Sequence, residues 1–192
     1  MVPTAESIWE KISRFRHSRF YSDVVDRRYL ANLAAIHLDN MCKKDDRGFI
    51  NNLESFLVDQ TALDVKTVKL FLTNNPPKEL RLAIQLFKSN ETMPAEFLQA
   101  LLNMKDCDLY LATHLLSYAT SGEYIIYNDK LYEALIQLIP EGASLLEKPA
   151  NNVSYILFHK YCEVLCESFQ LSSIEELNQF LLHGYATKWA FE

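Results

Sequence analysis

Residues 93–138, MPAEFLQALLNMKDCDLYLATHLLSYATSGEYIIYNDKLYEALIQL, decide the fold. Pro94 is tolerated in the first turn of a helix, and Phe97, Leu98, Leu101 and Leu102 recur on one helical face. Asn103 to Asp106 turns the chain. Asp106 or Asp108 then caps a second helix carrying Leu109, Ala112, Leu115 and Leu116. SGEYIIY has strand-like residues but is short, and the spacing predicts a buried extended loop. Asn128 or Asp129 caps a third helix, KLYEALIQLI, which Pro140 and Gly142 end.

Every other segment has the pattern of a helix that packs around this stretch. Thr4 to Arg19 is the first, with Ile8, Ile12, Phe15 and Arg19 at helical spacing, Trp9 beside Ile12, and Thr4 or Ser7 as cap. Phe20-Tyr21-Ser22 is a break, and Ser22 caps a long second helix from Asp23 to Lys43. Its apolar surface is Val25, Leu30, Leu33, Ala34, Ile36, Leu38 and Met41. KKDDRG ends it, with Gly48 as a turn residue.

Phe49 to Asp59 is a third helix. Asp64 caps a short one through Val65, Val68, Leu70, Phe71 and Leu72, which TNNPP stops. KELRLAIQLFKSN follows, with Leu80, Ile84 and Phe87 as its stripe. After the linker EGASLLEKPANN, Val153 to Phe169 forms a long helix with Ile156, Leu157, Tyr161, Val164 and Leu165 as its apolar residues. Ser172 or Ser173 opens the last helix in a capping box with Glu175 or Glu176. Its face is Ile174, Leu177, Phe180 and Leu181, Gly184 closes it, and KWAFE is an aromatic tail. The prediction is an all-α, single multi-helix domain over 1–192. It comprises N-terminal helices at 1–72, a core at 77–139 and C-terminal helices at 150–192.

Composition supports a packed domain: of 192 residues, 49% are hydrophobic and 23% charged. Only four glycines occur, which argues against a turn-rich β fold and a phosphate-cradling loop. The formal net charge of -6 weakens any global attraction to nucleic acid. Charge is polarised, however. Residues 1–50 hold nine Lys/Arg against seven Asp/Glu, a net of +2, and only Arg81 lies beyond Arg47. Neither a signal-peptide core nor an apolar run near the roughly 20 residues of a membrane span is visible, so the expectation is a cytoplasmic protein with no membrane partner.

No constellation carries chemistry. His17, His37, His114, His159 and His183 are scattered, and no HExxH, P-loop, GxSxG or paired CxxC occurs. Cys42, Cys107, Cys162 and Cys166 are expected to be reduced thiols, not a disulfide framework. His159 precedes Cys162 by three, but a zinc site needs two further ligands. Asp106 and Asp108 flank Cys107 and oppose a reactive thiolate. The expectation is therefore no enzyme, no cofactor and no metal. The most suggestive surface is RFRHSRFYSDVVDRR, where Arg14, Arg16, Arg19, Arg27 and Arg28 alternate with Phe15, Phe20 and Tyr21. Arginines grip phosphates bidentately and aromatics stack on bases. The competing reading makes Phe15 and Phe20 core and pairs the arginines with acids.

From Ala112 to Leu135, ATHLLSYATSGEYIIYNDKLYEAL resembles the helix-hairpin-helix region of base-excision DNA glycosylases. It looks closer to the catalytically silent helical domains of restriction and defence proteins, including regions ahead of McrB-type NTPases. Leu177 to Trp189 is similar to the closing helix of such domains. Asn128 stands where those glycosylases carry an essential aspartate, no lysine nucleophile lies near Thr113, and NMKDCD lacks the glycines of a phosphate-binding hairpin. The resemblance thus implies a helix-hairpin-helix-like core in a non-enzymatic module associated with nucleic acid, DNA being the partner, in a restriction or defence system. The alternative is a protein-interaction or self-association module. A third reading, a degenerate enzyme, would keep a base-binding pocket at Tyr124, Tyr127 and Asn128.

Overall fold

The computed structural model describes residues 5–60, 64–139 and 146–188. The expected Thr4 cap, the Pro140 and Gly142 stop, residues 141–145 of the linker and the tail from Trp189 lie outside the described residues. Among those described, the regular elements are ten α-helices and no β-strand. They are α1 (Ala5–Arg16), α2 (Arg19–Cys42), α3 (Asp46–Gln60), α4 (Val65–Asn74) and α5 (Pro77–Lys88), followed by α6 (Pro94–Leu102), α7 (Leu109–Ala119), α8 (Asp129–Leu138), α9 (Asn152–Ser168) and α10 (Ile174–Thr187).

Caps explain most of these boundaries. Asp64, Asp108, Asn128, Asn151 and Ser173 each accept a hydrogen bond from a first-turn backbone N–H through the side chain. Three boundaries differ from expectation, the last being that Gly184 does not close the final helix, which runs through it to Thr187 and is capped by Lys188 in the left-handed conformation at φ 50°. The break between the first helices is His17-Ser18, where Ser18 Oγ donates to the Phe15 carbonyl at 2.7 Å. Ser22 is consequently no cap; it lies inside α2, its Oγ donating to the Arg19 carbonyl at 2.6 Å. Gly48 is likewise not a turn residue. Asp45 Oδ1 accepts from the Gly48 N–H at 2.8 Å, so the helix begins at Asp46 with Gly48 within it.

The chain divides into two compact units, one of Met1–Leu30 with Gly122–Glu192 and one of Ala31–Ser121. It passes between them within α2 and again at Ser121-Gly122, two successive residues of positive φ (58° and 86°). The stretch 77–139, expected to form one core, is shared: α6 and α7 belong to one unit, the aromatic loop and α8 to the other.

In the Ala31–Ser121 unit, α3 packs on α4 and α5, and α6 packs on α5 and α7. Every residue from Leu111 to Ala119 is buried, so α7 is a central helix without a solvent face. Phe87 stacks on Phe97 at 4.5 Å and Phe56 meets Tyr118 edge-on at 5.2 Å. In the other unit α10 is central. It packs along α8, α9 and α1, and Glu176 to Leu181 are all buried. Phe15, Leu131, Leu135, Tyr155, Phe158, Leu177 and Phe180 fill this core. SGEYIIY opens on the Ser121-Gly122 turn and continues as a loop that does not pair as a strand, with Ile125, Ile126 and Tyr127 buried.

Candidate functional site

The N-terminal arginines differ in their partners. Arg16 closes α1, where its Nε donates to Glu176 Oε1 at 3.0 Å and its Nη2 to the Gln170 carbonyl at 3.0 Å. Glu176 is 1% exposed and also accepts from the Ser172 N–H at 2.6 Å. Arg16 is thereby tied to α10 and to Gln170 while its side chain stays part-exposed. Arg27 lies within electrostatic reach of Glu175, whose carboxyl burial pushes up and which Gln179, Arg27 and Asn178 pull back. Arg19 lies over the Phe20 ring at 5.5 Å. Arg14 helps burial to lower the His183 pKa. All five, Arg14, Arg16, Arg19, Arg27 and Arg28, are exposed.

The interleaved aromatics are mostly structural. Phe15 is fully buried, with ring centroids of Phe180, Tyr21 and His183 at 5.4, 5.5 and 5.9 Å. Phe20 meets His183 edge-on at 5.5 Å. Tyr21 alone of the three is exposed. Nothing local in RFRHSRFY signals this, because the partners Gln170, Glu176 and Phe180 lie more than 150 positions away.

The turn between α6 and α7 is bound from outside. Asn75, 8% exposed, donates through Nδ2 to the Phe71 and Lys105 carbonyls, both at 2.7 Å, and accepts the Lys105 N–H at 2.9 Å. Asn74 donates to Asp106 Oδ2 at 2.6 Å. Asp106 takes φ 58° to make the turn. The Lys105 N–H that a phosphate would seek is thus used by the chain itself, beside a carboxylate that would repel one. Asn75→Ala strands these buried groups, and is expected to lower stability by about 2 kcal/mol, read as a fall in the urea midpoint of helical circular dichroism. A loss below about 0.5 kcal/mol would show that the Asn75 bonds do not hold the turn.

The candidate pocket residues each have partners within the fold. Tyr124 stacks on His159 at 4.2 Å, and Tyr127 meets Phe158 edge-on at 5.6 Å while its hydroxyl donates to Asp129 Oδ1 at 3.3 Å. Asn128 Oδ1 accepts the Leu131 N–H at 3.0 Å, which is the cap of α8. Burial raises Tyr127 and Tyr124. His159 itself is 4% exposed, and its Nε2 is 3.5 Å from Glu163 Oε1. Its Nδ1 is buried without a hydrogen-bond partner.

All four cysteines are free. Burial pushes the Cys42 thiol up to about 11 and those of Cys107 and Cys166 to about 12, with Cys162 raised as well. Thiols so held are poor nucleophiles. Among the described residues no three His, Cys, Asp or Glu side chains come together as a metal site.

The apolar residues read from the sequence do not all face the core. Leu157 and Val164 are 61% and 56% exposed, in line with Val153 at 61%. On α2, Val25, Leu30 and Ile36 are exposed together with Tyr21 and Tyr29. The buried faces are Tyr155, Phe158, Cys162, Leu165 and Cys166 on α9, of which Leu165 is among the expected apolar residues, and Val24, Ala31, Ala34, Leu38 and Met41 on α2, of which Ala34, Leu38 and Met41 are. Both helices are apolar on two sides, and periodicity cannot tell which side meets the core. Leu82, Val65 and Leu70 are exposed in the same way.

Comparisons with protein-family models, curated proteins and solved structures find no match to this chain. The helical architecture and its apolar outer faces define the class: an all-α protein.

Proposed function

We propose that this chain is a non-enzymatic protein-interaction module that binds through exposed helix faces. One observation carries this reading: Val153, Leu157 and Val164 form an apolar row on α9, outside a core that is already closed by the opposite side of that helix. Apolar side chains aligned at helical spacing on a solvated face are the usual material of helix docking. The four free thiols and the absence, among the described residues, of a helix able to cross a membrane fit a cytoplasmic setting. The test is affinity purification of the full chain with and without nuclease, repeated with Leu157→Glu. Partners that survive nuclease and vanish with Leu157→Glu are expected. Partners that vanish with nuclease and ignore Leu157→Glu would sink the reading.

A second reading has its own support. Arg14, Arg19 and Arg28 are exposed on the one segment of net positive charge. They could hold a phosphate backbone in a nucleic-acid-associated module of a restriction or defence system, with the α6–α7 hairpin as the counterpart of a helix-hairpin-helix core. DNA binding at low salt that weakens when Arg14, Arg19 and Arg28 become alanine is the expected result of that reading. No binding at low salt would remove it.

A further inference from the structure

We infer that α2 carries a joint: its stretch 25–30 opens locally while the helix on either side, and the cores it enters, stay folded. The inference is a conformational one and stands apart from the interaction reading.

The stretch is solvated all round. Residues 25–30 are six in succession and every one is exposed, Val25 at 70% and Tyr29 at 63%. At about 100° per residue, such a run covers the whole circumference of a helix. Val24 before it and Ala31 after it are buried, at 4% and 6%. The chain leaves one compact unit for the other after Leu30, so an opening within the stretch breaks into the core of neither.

The helix is fastened on both sides of it. Toward the N-terminus, Phe20 meets His183 and Tyr21 meets Phe15, each at 5.5 Å, and Val24 is buried. Toward the C-terminus, Ala31, Ala34, Ala35, Leu38 and Met41 are buried. Between these anchors nothing but backbone hydrogen bonds and local propensity holds the helical form. Both are marginal in water, because most helical stability in proteins comes from packing. Val25, Asp26 and Tyr29 are also weak helix formers. Asp23, four positions before Arg27, has the orientation that favours a helix, and a solvated pair of this kind adds little. A helix anchored at both ends and unpacked between them opens most easily in the unpacked part.

Native-state hydrogen exchange on the full chain tests this. Amides 27–31 are expected to be at least about tenfold less protected than amides 36–42 of the same helix. Asn75→Ala weakens the core that amides 36–42 enter and should lower their protection about thirtyfold, while leaving amides 27–31 unchanged, because the open form keeps every Asn75 bond. Arg28→Gly, at an exposed position inside the stretch, should lower protection at 27–31 about fourfold. Urea gives the same separation without substitution. Well below the midpoint, protection at 27–31 should stay flat, since local opening exposes little new surface, while protection at 36–42 falls.

Amides 27–31 as well protected as 36–42 overturn the inference. So does an equal loss at both sets in Asn75→Ala, or a parallel fall of both in urea, since either means that the stretch opens only together with a core. Protection at 27–31 that ignores Arg28→Gly overturns it as well, because exchange there would then not report opening of the helix.

Discussion

Arg16→Ala is expected to cost about 3 kcal/mol of folding stability, the lower end of what breaking a buried ion pair removes. The reason is not the arginine but what it leaves behind. Glu176 is 1% exposed, and its carboxylate accepts from Arg16 Nε at 3.0 Å and from the Ser172 N–H at 2.6 Å. Removing the guanidinium strands a buried charge with one donor. The Arg16 side chain is 38% exposed, so water can enter part of the vacated space and hold the cost near that lower end. Glu176→Gln should cost less, since an amide oxygen still accepts the Ser172 N–H and no charge is stranded. The double variant should then fall well short of the sum of the singles. Urea denaturation of the three variants checks this, and an Arg16→Ala loss below about 1 kcal/mol would show that the pair does not hold α1 to α10. The result also bears on the arginine surface. A binding defect in Arg16→Ala would report unfolding, so Arg14, Arg19 and Arg28 are the positions at which phosphate contact is testable.

Stability is also expected to fall by about 3 kcal/mol as pH drops from 6.5 to 4, with His159 as the cause. Burial holds this imidazole down to about 4 from its ordinary 6.5. It lies against Tyr124 at 4.2 Å and Tyr155 at 6.4 Å, with Nδ1 buried and unpartnered. Between those pH values the unfolded chain binds a proton that the folded chain refuses. The stabilisation is therefore complete above about 6.5, declines through this window and levels off below about 4. Glu163, 3.5 Å from Nε2, is the acid that faces the ring once it is protonated, and Glu123 adjoins Tyr124 in sequence. His183, lowered by burial and Arg14, adds a smaller loss of the same sign. His159→Phe keeps an aromatic ring in the stack and should flatten most of the decline, with urea midpoints at pH 7, 5.5 and 4 as the measurement. An undiminished pH dependence in His159→Phe would place the titrating group elsewhere. Tyr155 fixes the same region, its hydroxyl donating to the Ile125 carbonyl at 2.6 Å, so the acid form should first loosen the 122–128 segment.

Much of the helical pattern was legible because its causes are local. Asp64, Asp108, Asn128 and Ser173 cap where a short polar side chain precedes an apolar row, and Pro77 and Pro94 open helices where proline costs nothing. That the 122–127 segment is a loop and not a strand followed from its shortness. Ser22 and Gly48 failed because both have the right chemistry for a boundary and tertiary packing set that boundary elsewhere, at Ser18 and Asp45. That Arg16 meets a buried acid as well as solvent was not legible locally, because Glu176 lies 160 positions away.

By itself, then, the sequence determined that this is an all-helical chain, where most helices begin, and that its charge is polarised toward an N-terminal row of arginines. These follow from 3.6-residue periodicity, capping and composition, which act within a few residues. Only the tertiary structure decided which face of each two-sided helix is core. It buried Phe15, Asn75 and Glu176 and left Leu157 and Val164 outside. It also split the stretch from Met93 to Leu138 between two compact units. Burial is a property of pairs of elements, and a helix apolar on both sides contains no local term that chooses between them.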